Sequence, residues 1–422
     1  MKIAIIGSGI AGLTCAHLLH RQHDIALFEK AERIGGHTAT IDVRHRGQNY
    51  PIDTGFIVYN HRTYPHFVQL LKNLGVPAQE TEMSFGVSTA DGSLEYASTS
   101  LNSLFAQRRR LLSSAHWRML ADILRFYRTA RADLAQDRLP QTTTLGDYLQ
   151  QGGYGHAFRE HFLLPMGSAI WSTSTARLLD FPLQFFLRFF HNHGLLNIAR
   201  RPTWRTLQGG SKSYLQPLTR DFADQIHLRA KLRTIHRHAD SVTLDFADRP
   251  PHHCDQVILA CHSDQALALL ADPSTAEREI LSAIPYHTSE AILHHDYSIL
   301  PRNKTAWASW NYRLSTTPGA PPIVSYNMNR LQRIDCPDTF IVTLNATAQL
   351  DPAKIIGRYR YAHPQFSPAA TAAQHRWPEI NGTNRTWFCG AYWRNGFHED
   401  GCWSALRIAR KLGTDWPGPL TP

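Results

Sequence analysis

The chain has 422 residues, 43% of them hydrophobic and 18% charged, which excludes a disordered polymer and suits two interlocked globular domains. A net charge of +10 and a pI near 9.4 favour an anionic partner. No helix-turn-helix, zinc-finger or RNP-like pattern accompanies that charge, so the expected partner is an anionic membrane surface, touched peripherally, and not nucleic acid. No apolar stretch reaches bilayer length. The six cysteines form no CxxC pair, so a reducing cytoplasm is expected and no metal site is assigned.

Lys2-Ile3-Ala4-Ile5-Ile6 is a short apolar run that meets Gly7-Ser8-Gly9-Ile10-Ala11-Gly12 at once. Leu13, Ala16, Leu18 and Leu19 follow with helical spacing, and Ile25-Ala26-Leu27-Phe28 then runs into Glu29. Strand, glycine turn, helix, strand and acid in this order predict a dinucleotide site. Gly7 allows the tight turn, Gly9 lets the backbone approach a pyrophosphate, and Gly12 lets helix and strand pack closely. The helix start, at Ile10 and Ala11, offers free N–H groups and a partial positive charge to the phosphates. Glu29 stands where an acid accepts hydrogen bonds from ribose hydroxyls.

The next segment separates NAD from FAD. Lys30-Ala31-Glu32-Arg33-Ile34-Gly35-Gly36-His37-Thr38 carries two adjacent glycines just after the second strand. It resembles the extended fingerprint of FAD enzymes of the glutathione-reductase-like Rossmann type. The resemblance implies FAD contacts at Lys30, Gly35, Gly36 and His37. His37 stands where flavin-containing amine oxidoreductases and phytoene desaturases usually carry an Arg. Asp53-Thr54-Gly55-Phe56 closes an extended run and resembles the segment that passes beside the isoalloxazine ring. Gly55 lets that backbone come close, with Thr54 and Phe56 on either side.

Tyr64, Phe67, Leu70, Leu71 and Leu74 predict a helix that Gly75-Val76-Pro77 stops. Glu82–Ser88 and Leu94–Tyr96 predict a hairpin around Asp91-Gly92. From Leu101 to about Asp137 the pattern predicts basic helix, with Arg108, Arg109, Arg110, Arg118, Arg125 and Arg128 beside an apolar stripe. It is either a helix lying on an anionic membrane or a cap helix with a solvated face. Phe181–Phe190 holds five phenylalanines in ten residues. It is either a buried cap helix or an acyl-chain tunnel or membrane-facing lip.

Gly209-Gly210 resembles the return from cap to FAD domain. Ile226, Leu228, Leu232 and Ile235 form an extended stretch, with Val242–Leu244 as its expected partner in the sheet. Resemblance places the Leu232 backbone on adenine. Asp255–Cys261 is a buried strand that brings Ala260 beside FAD. Trp307–Tyr312, Ile323–Asn329 and Phe340–Asn345 predict one antiparallel sheet flooring the substrate site. A last strand ends at Cys389-Gly390, and a second helix starts at Asp400-Gly401, where its dipole would stabilise charge on reduced flavin.

Together these pieces resemble the flavin-containing amine oxidoreductase superfamily over nearly the whole chain. Within it they look like a bacterial branch that includes the desaturase of furan fatty acid biosynthesis. The resemblance implies an α/β fold: a glutathione-reductase-like Rossmann FAD domain (1–60, 206–285 and 376–422). Into it is inserted an α+β substrate domain (61–205 and 286–375) of antiparallel sheet plus helical cap. Amine oxidases resembling this fold place a Lys by flavin N5, but Ala291–His295 carries none. The expected reaction is therefore desaturation of a methyl-branched fatty acyl chain of a membrane lipid. Oxidation of a small or hydrophobic amine, or a non-catalytic flavin-binding scaffold, are the alternatives. Flavin takes the hydride and a base takes the proton. Tyr59, Tyr326, His398 and Glu399 are the candidates for that base, each equally suited to packing or to positioning flavin.

Overall fold

Lys2–Ile6 and Asp24–Phe28 are parallel strands joined by helix α1 (Ile10–Leu19). Both faces of these strands are covered, so they read as continuous apolar runs instead of alternating ones: Ile3, Ala4, Ile5 and Leu27 are all buried. They sit inside a five-stranded parallel sheet, ordered Ile226–His227, Asp24–Phe28, Lys2–Ile6, Gln256–Leu259, Thr386–Phe388. The chain therefore leaves this sheet and returns to it. The computed structural model describes residues 1–136, 139–140, 142–199, 201–315 and 321–416. Among them no helix is long and apolar enough to cross a membrane.

The second body is a seven-stranded sheet, ordered Ile355–Pro364, Tyr286–His294, Ile341–Leu344, Ile323–Asn327, Trp310–Leu314, Phe85–Thr89, Glu95–Ala97. The three strands expected to form one antiparallel sheet pair that way, Trp310–Leu314 with Ile323–Asn327 and the latter with Ile341–Leu344, while Trp310–Leu314 also runs parallel to Phe85–Thr89. That pair joins the two excursions edge to edge, a long-range choice that strand patterning does not encode.

Packing also divides the chain differently from the predicted ranges. Helix α2 (Pro65–Leu74), expected in the substrate domain, buries Phe67, Leu70 and Leu71 in the core of the parallel sheet. The hairpin Thr40–His45 and Gln48–Asp53, expected in the FAD domain, buries Val43, Tyr50 and Ile52 in the core of the second body.

The basic stretch is broken helix. It consists of a short helix Leu101–Leu104, a 3-10 turn Arg108–Leu112, and α3 (Ser114–Ala135), whose cap Ser113 accepts the His116 N–H at 3.3 Å. The expected end at Asp137 lies outside the described residues. Helix α4 (Leu183–Asn192) buries Phe186, Phe189 and Phe190, which together with Phe181 surround the Trp171 ring at 4.7–6.5 Å. This segment is a buried cap helix, and the expectation of a membrane-facing lip fails there because its rings pack on one another. Helix α5 (His398–Lys411) starts before the predicted Asp400. Its N-cap is Phe397, not one of the polar residues that mark a helix start in sequence.

Candidate flavin site

The glycine turn is held by backbone contacts on three sides. Gly7 has φ +105°, and a Cβ there would lie 2.8 Å from the Ala260 carbonyl oxygen; Ala260 itself donates to Ile6 at 2.8 Å. A Cβ at Gly12 would fall 1.9 Å from the Gly7 oxygen, so the third glycine is required by close packing. A Cβ at Gly9, by contrast, would meet no protein atom within 4 Å. Nothing in the fold forbids a side chain at Gly9; the turn is open on the side where a pyrophosphate approaches. No side chain caps α1, so its first-turn N–H groups at Ile10 and Ala11 stay available.

Other segments converge on the same helix start. Gly36 is left-handed (φ +56°), and its Cβ would stand 3.2 Å from Gly9 Cα; Gly35 donates to the Ser8 carbonyl at 2.8 Å. A Cβ at Gly401 would press to 2.7 Å from Ile10 Cγ2. Glu29 accepts the Ser8 N–H at 2.9 Å and its hydroxyl at 2.7 Å, which fixes the acid at the turn. The Ala230 N–H donates to the Glu29 carbonyl at 2.8 Å, bringing the strand that starts at Leu232 alongside. Gly390 donates to Ser404 Oγ at 3.1 Å, and Lys30 is exposed.

Further along, the half-buried His37 ring lies among His262, Tyr361 and His363, and its buried Nε2 has no hydrogen-bond partner. Burial, then the neighbouring imidazoles, push its pKa well below the ordinary value. His37 is therefore neutral, and the charge nearest this turn is Arg33, which donates to the Gly36 and Thr38 carbonyls at 2.9 and 3.0 Å. A Cβ at Gly55 would lie 2.2 Å from the His37 oxygen, and Phe56 donates to that oxygen at 2.8 Å. Thr54 is bonded to the Tyr361 hydroxyl at 2.7 Å. Asp53 accepts from Thr40, Ser211 and Gln332, and burial raises its pKa to about 7.

Three of the four catalytic candidates gather around Phe67. His398 stacks on Phe56 at 3.6 Å and meets the Phe67 ring at 5.7 Å; the Tyr59 ring meets Phe67 at 5.3 Å. Glu399 accepts the backbone N–H groups of His66 (3.2 Å) and Phe67 (3.0 Å) through its two oxygens, so it holds the start of α2. Burial lowers His398 to a pKa of about 3 and raises that of Tyr59. Tyr326 lies apart, perpendicular to Trp310 at 5.0 Å, and burial raises its pKa too. The Asp400 carboxylate accepts the N–H groups of Phe397 (2.9 Å) and Asn395 (3.2 Å), and burial raises it to about 7. It thus occupies a capping position at the start of α5, the end whose dipole the sequence assigns to flavin.

Sequence reasoning passed over several residues here. Thr38 is bonded to His398 Nε2 at 3.0 Å and to the Tyr214 hydroxyl. Both carry a weak signal, Thr38 closing the double-glycine motif and Tyr214 following Gly209-Gly210. A ladder of near-parallel rings has no sequence signal, because its members come from three segments. Trp204 faces His193 (6.2 Å), His193 stacks on Phe189 (3.9 Å), and Phe189 on Phe397 (5.2 Å). No metal site is assigned from sequence, yet His45, Cys336 and Asp338 bring potential ligand atoms within 4.8 Å of one another. The Asp338 carboxylate is already held there by His45 at 2.8 Å and Arg46 at 2.7 Å, and that guanidinium opposes a second cation.

These residues fit FAD: an open glycine turn at a free helix start, a fixed acid beside it, and a buried imidazole nitrogen without a partner. A family model for flavin containing amine oxidoreductase matches residues 10–295, more than half of the chain. Putrescine oxidase bound to putrescine superposes with a TM-score of 0.69 at 14% identity, covering 98% of this chain and 99% of that one. A fatty acid isomerase from P. acnes gives 0.69 at 16%, covering 97% and 98%. Cyclohexylamine oxidase from Brevibacterium oxydans IH-35A gives 0.67 at 15%, covering 98% and 99%. At such identities the likeness establishes the fold alone. No curated protein matches the chain in sequence. The chain belongs to the flavin-containing amine oxidoreductase family and is an FAD-dependent oxidoreductase.

Proposed function

We propose that this protein desaturates a fatty acyl chain of a membrane lipid, with a methyl-branched chain as the preferred substrate. One observation carries the proposal: the rings stacked on Phe397, next to His398, carry no charge. The ladder Trp204–His193–Phe189–Phe397 and the pair Trp310–Tyr326 are uncharged, and burial lowers His193 to a pKa of about 4. No lysine of the chain is buried. Among the described residues every buried carboxylate is already engaged, Asp53, Glu399 and Asp400 near the site and Glu95, Asp122, Glu277 and Asp296 away from it. An ammonium substrate would lose its hydration with no free carboxylate to replace it, whereas an acyl chain needs only apolar contact.

The reaction removes two hydrogens from adjacent carbons. Bound FAD supplies the acceptor for the hydride. Burial holds the two tyrosines protonated, so neither accepts the proton, and it passes to His398, a neutral but weak base with its pKa lowered to about 3. The Trp310 indole N–H, buried without an acceptor, would bind a polar group of the substrate. The test is mass spectrometry of phospholipids incubated with holoenzyme and an electron acceptor. Chains lighter by two hydrogens are expected. Unchanged lipids together with aldehydes formed from an amine panel would overturn the proposal in favour of an amine oxidase.

A further inference from the structure

We propose that this protein docks on an anionic lipid bilayer through an apolar ledge formed by Leu101, Leu111, Leu112 and Trp117, with Arg108 and Arg118 at headgroup level. The proposal rests on the lipid-substrate reading above and names the surface through which that substrate is reached. Five of the nine large apolar side chains exposed among the described residues fall between residues 101 and 124. Leu112 is 93% exposed, Leu101 76%, Trp117 50% and Leu111 48%. The 3-10 turn Arg108–Leu112 buries none of its residues, so no packing demand of this fold explains leucines there.

The ledge is built to stand out. Arg109 and Arg110 donate to the Ser93 carbonyl, and Arg108 to the Phe105 carbonyl at 3.0 Å, which fixes the turn. The Trp117 indole donates to the Leu111 carbonyl at 2.9 Å, and its ring lies 5.1 Å from Phe105. Its polar atom is therefore satisfied while the ring stays half exposed, the arrangement suited to a membrane interface.

Charge selects the occupant. Between residues 101 and 131 the one acid is Asp122, which is buried and paired with Arg125 at 2.8 Å. Apolar side chains ringed by unopposed guanidinium groups complement an anionic bilayer, and a second copy of this basic face would repel the first. On α3, Leu124 lies two turns from Trp117 on the same face. It borders a cavity of about 470 Å³ that Tyr127, Arg131 and Ile198 also line.

The test is sedimentation of holoenzyme with phosphatidylglycerol-containing and pure phosphatidylcholine vesicles at low and high salt. Binding to the anionic vesicles that weakens with salt is expected. Leu101→Glu and Leu112→Glu should each lower it roughly tenfold or more, with FAD content and melting temperature unchanged, because both side chains are exposed. Wild-type protein that binds neither vesicle, or variants that bind as well as wild type, would overturn the proposal. So would a Leu112→Glu variant that instead dissociates a dimer, which would assign the ledge to a second copy of this chain. Flavin reduction by detergent-dispersed phospholipid, measured in parallel, should be equal in all three proteins. Its absence throughout would sink the substrate reading, while the vesicle result still decides docking.

Discussion

The two sides of the flavin site are built by opposite means. On the side of α1 the work is done by backbone: Gly7, Gly9, Gly12, Gly36 and Gly55 bring main chain against main chain, and only Gly9 faces open space. On the side of α4 it is done by rings, with Phe189, His193, Trp204 and Phe397 stacked from three distant segments. Backbone contact tolerates no added atom but is indifferent to chemistry beyond glycine. Ring packing tolerates conservative exchange but sets polarity, and with it the substrate.

Substitutions can break this comparison, beginning with the largest effect. Gly9→Val should abolish FAD binding while leaving the melting temperature of the FAD-free protein within a degree or so, since a Cβ there meets no protein atom within 4 Å. Gly12→Val should abolish folding itself, its Cβ already overlapping the Gly7 oxygen; circular dichroism and flavin absorbance separate the two. On the ring side, Phe186→Ala empties a fully buried position and should cost about 3–5 kcal/mol in urea unfolding without releasing FAD from native protein. Glu399→Gln should cost about 1–3 kcal/mol, because it weakens the charged acceptor of the His66 and Phe67 N–H groups. An equally large loss of flavin reduction at unchanged stability would instead make Glu399 the base.

Protonation sharpens the contrast. Burial holds His398 at about 3 and His193, His294 and His363 at about 4, below the ordinary 6.5. A depressed imidazole contributes stability above 6.5 that is lost as pH falls toward these values. Asp53 and Asp400, raised to about 7 from 3.8, act in the opposite direction, losing stability as pH rises from 3.8 through 7. With His17, also lowered to about 4, five imidazoles oppose two carboxyl groups, so the melting temperature should fall from pH 6.5 to pH 4. The smallest effect is expected of Tyr326→Phe, a change within about 0.5 kcal/mol, since no hydrogen bond is lost. A loss of more than about 1 kcal/mol in urea unfolding would contradict this.

The cofactor side was legible in sequence because each of its signals is local. Glycine spacing, an apolar run of five residues and an acid at Glu29 are all read within one βαβ unit. The helix start at His398 lies two residues before the expected one because its N-cap is Phe397, an aromatic residue where sequence rules look for a hydroxyl or amide, and only Asp400 caps it, by accepting the Phe397 N–H. The second body was legible strand by strand but not in its pairing, since Trp310–Leu314 meets Phe85–Thr89 only through the fold. Phe181–Phe190 announced apolar surface without saying what covers it; Trp171 and neighbouring rings do. Leu112 shows the converse, a leucine in a basic turn with nothing over it.

The most direct measurement is anaerobic bleaching of the bound flavin, followed in one cuvette series against dispersed membrane phospholipids and a panel of amines. A cofactor held by backbone beside a neutral ring-walled site predicts loss of the flavin absorbance with phospholipid and none with amines. Bleaching by an amine and not by any lipid would contradict it.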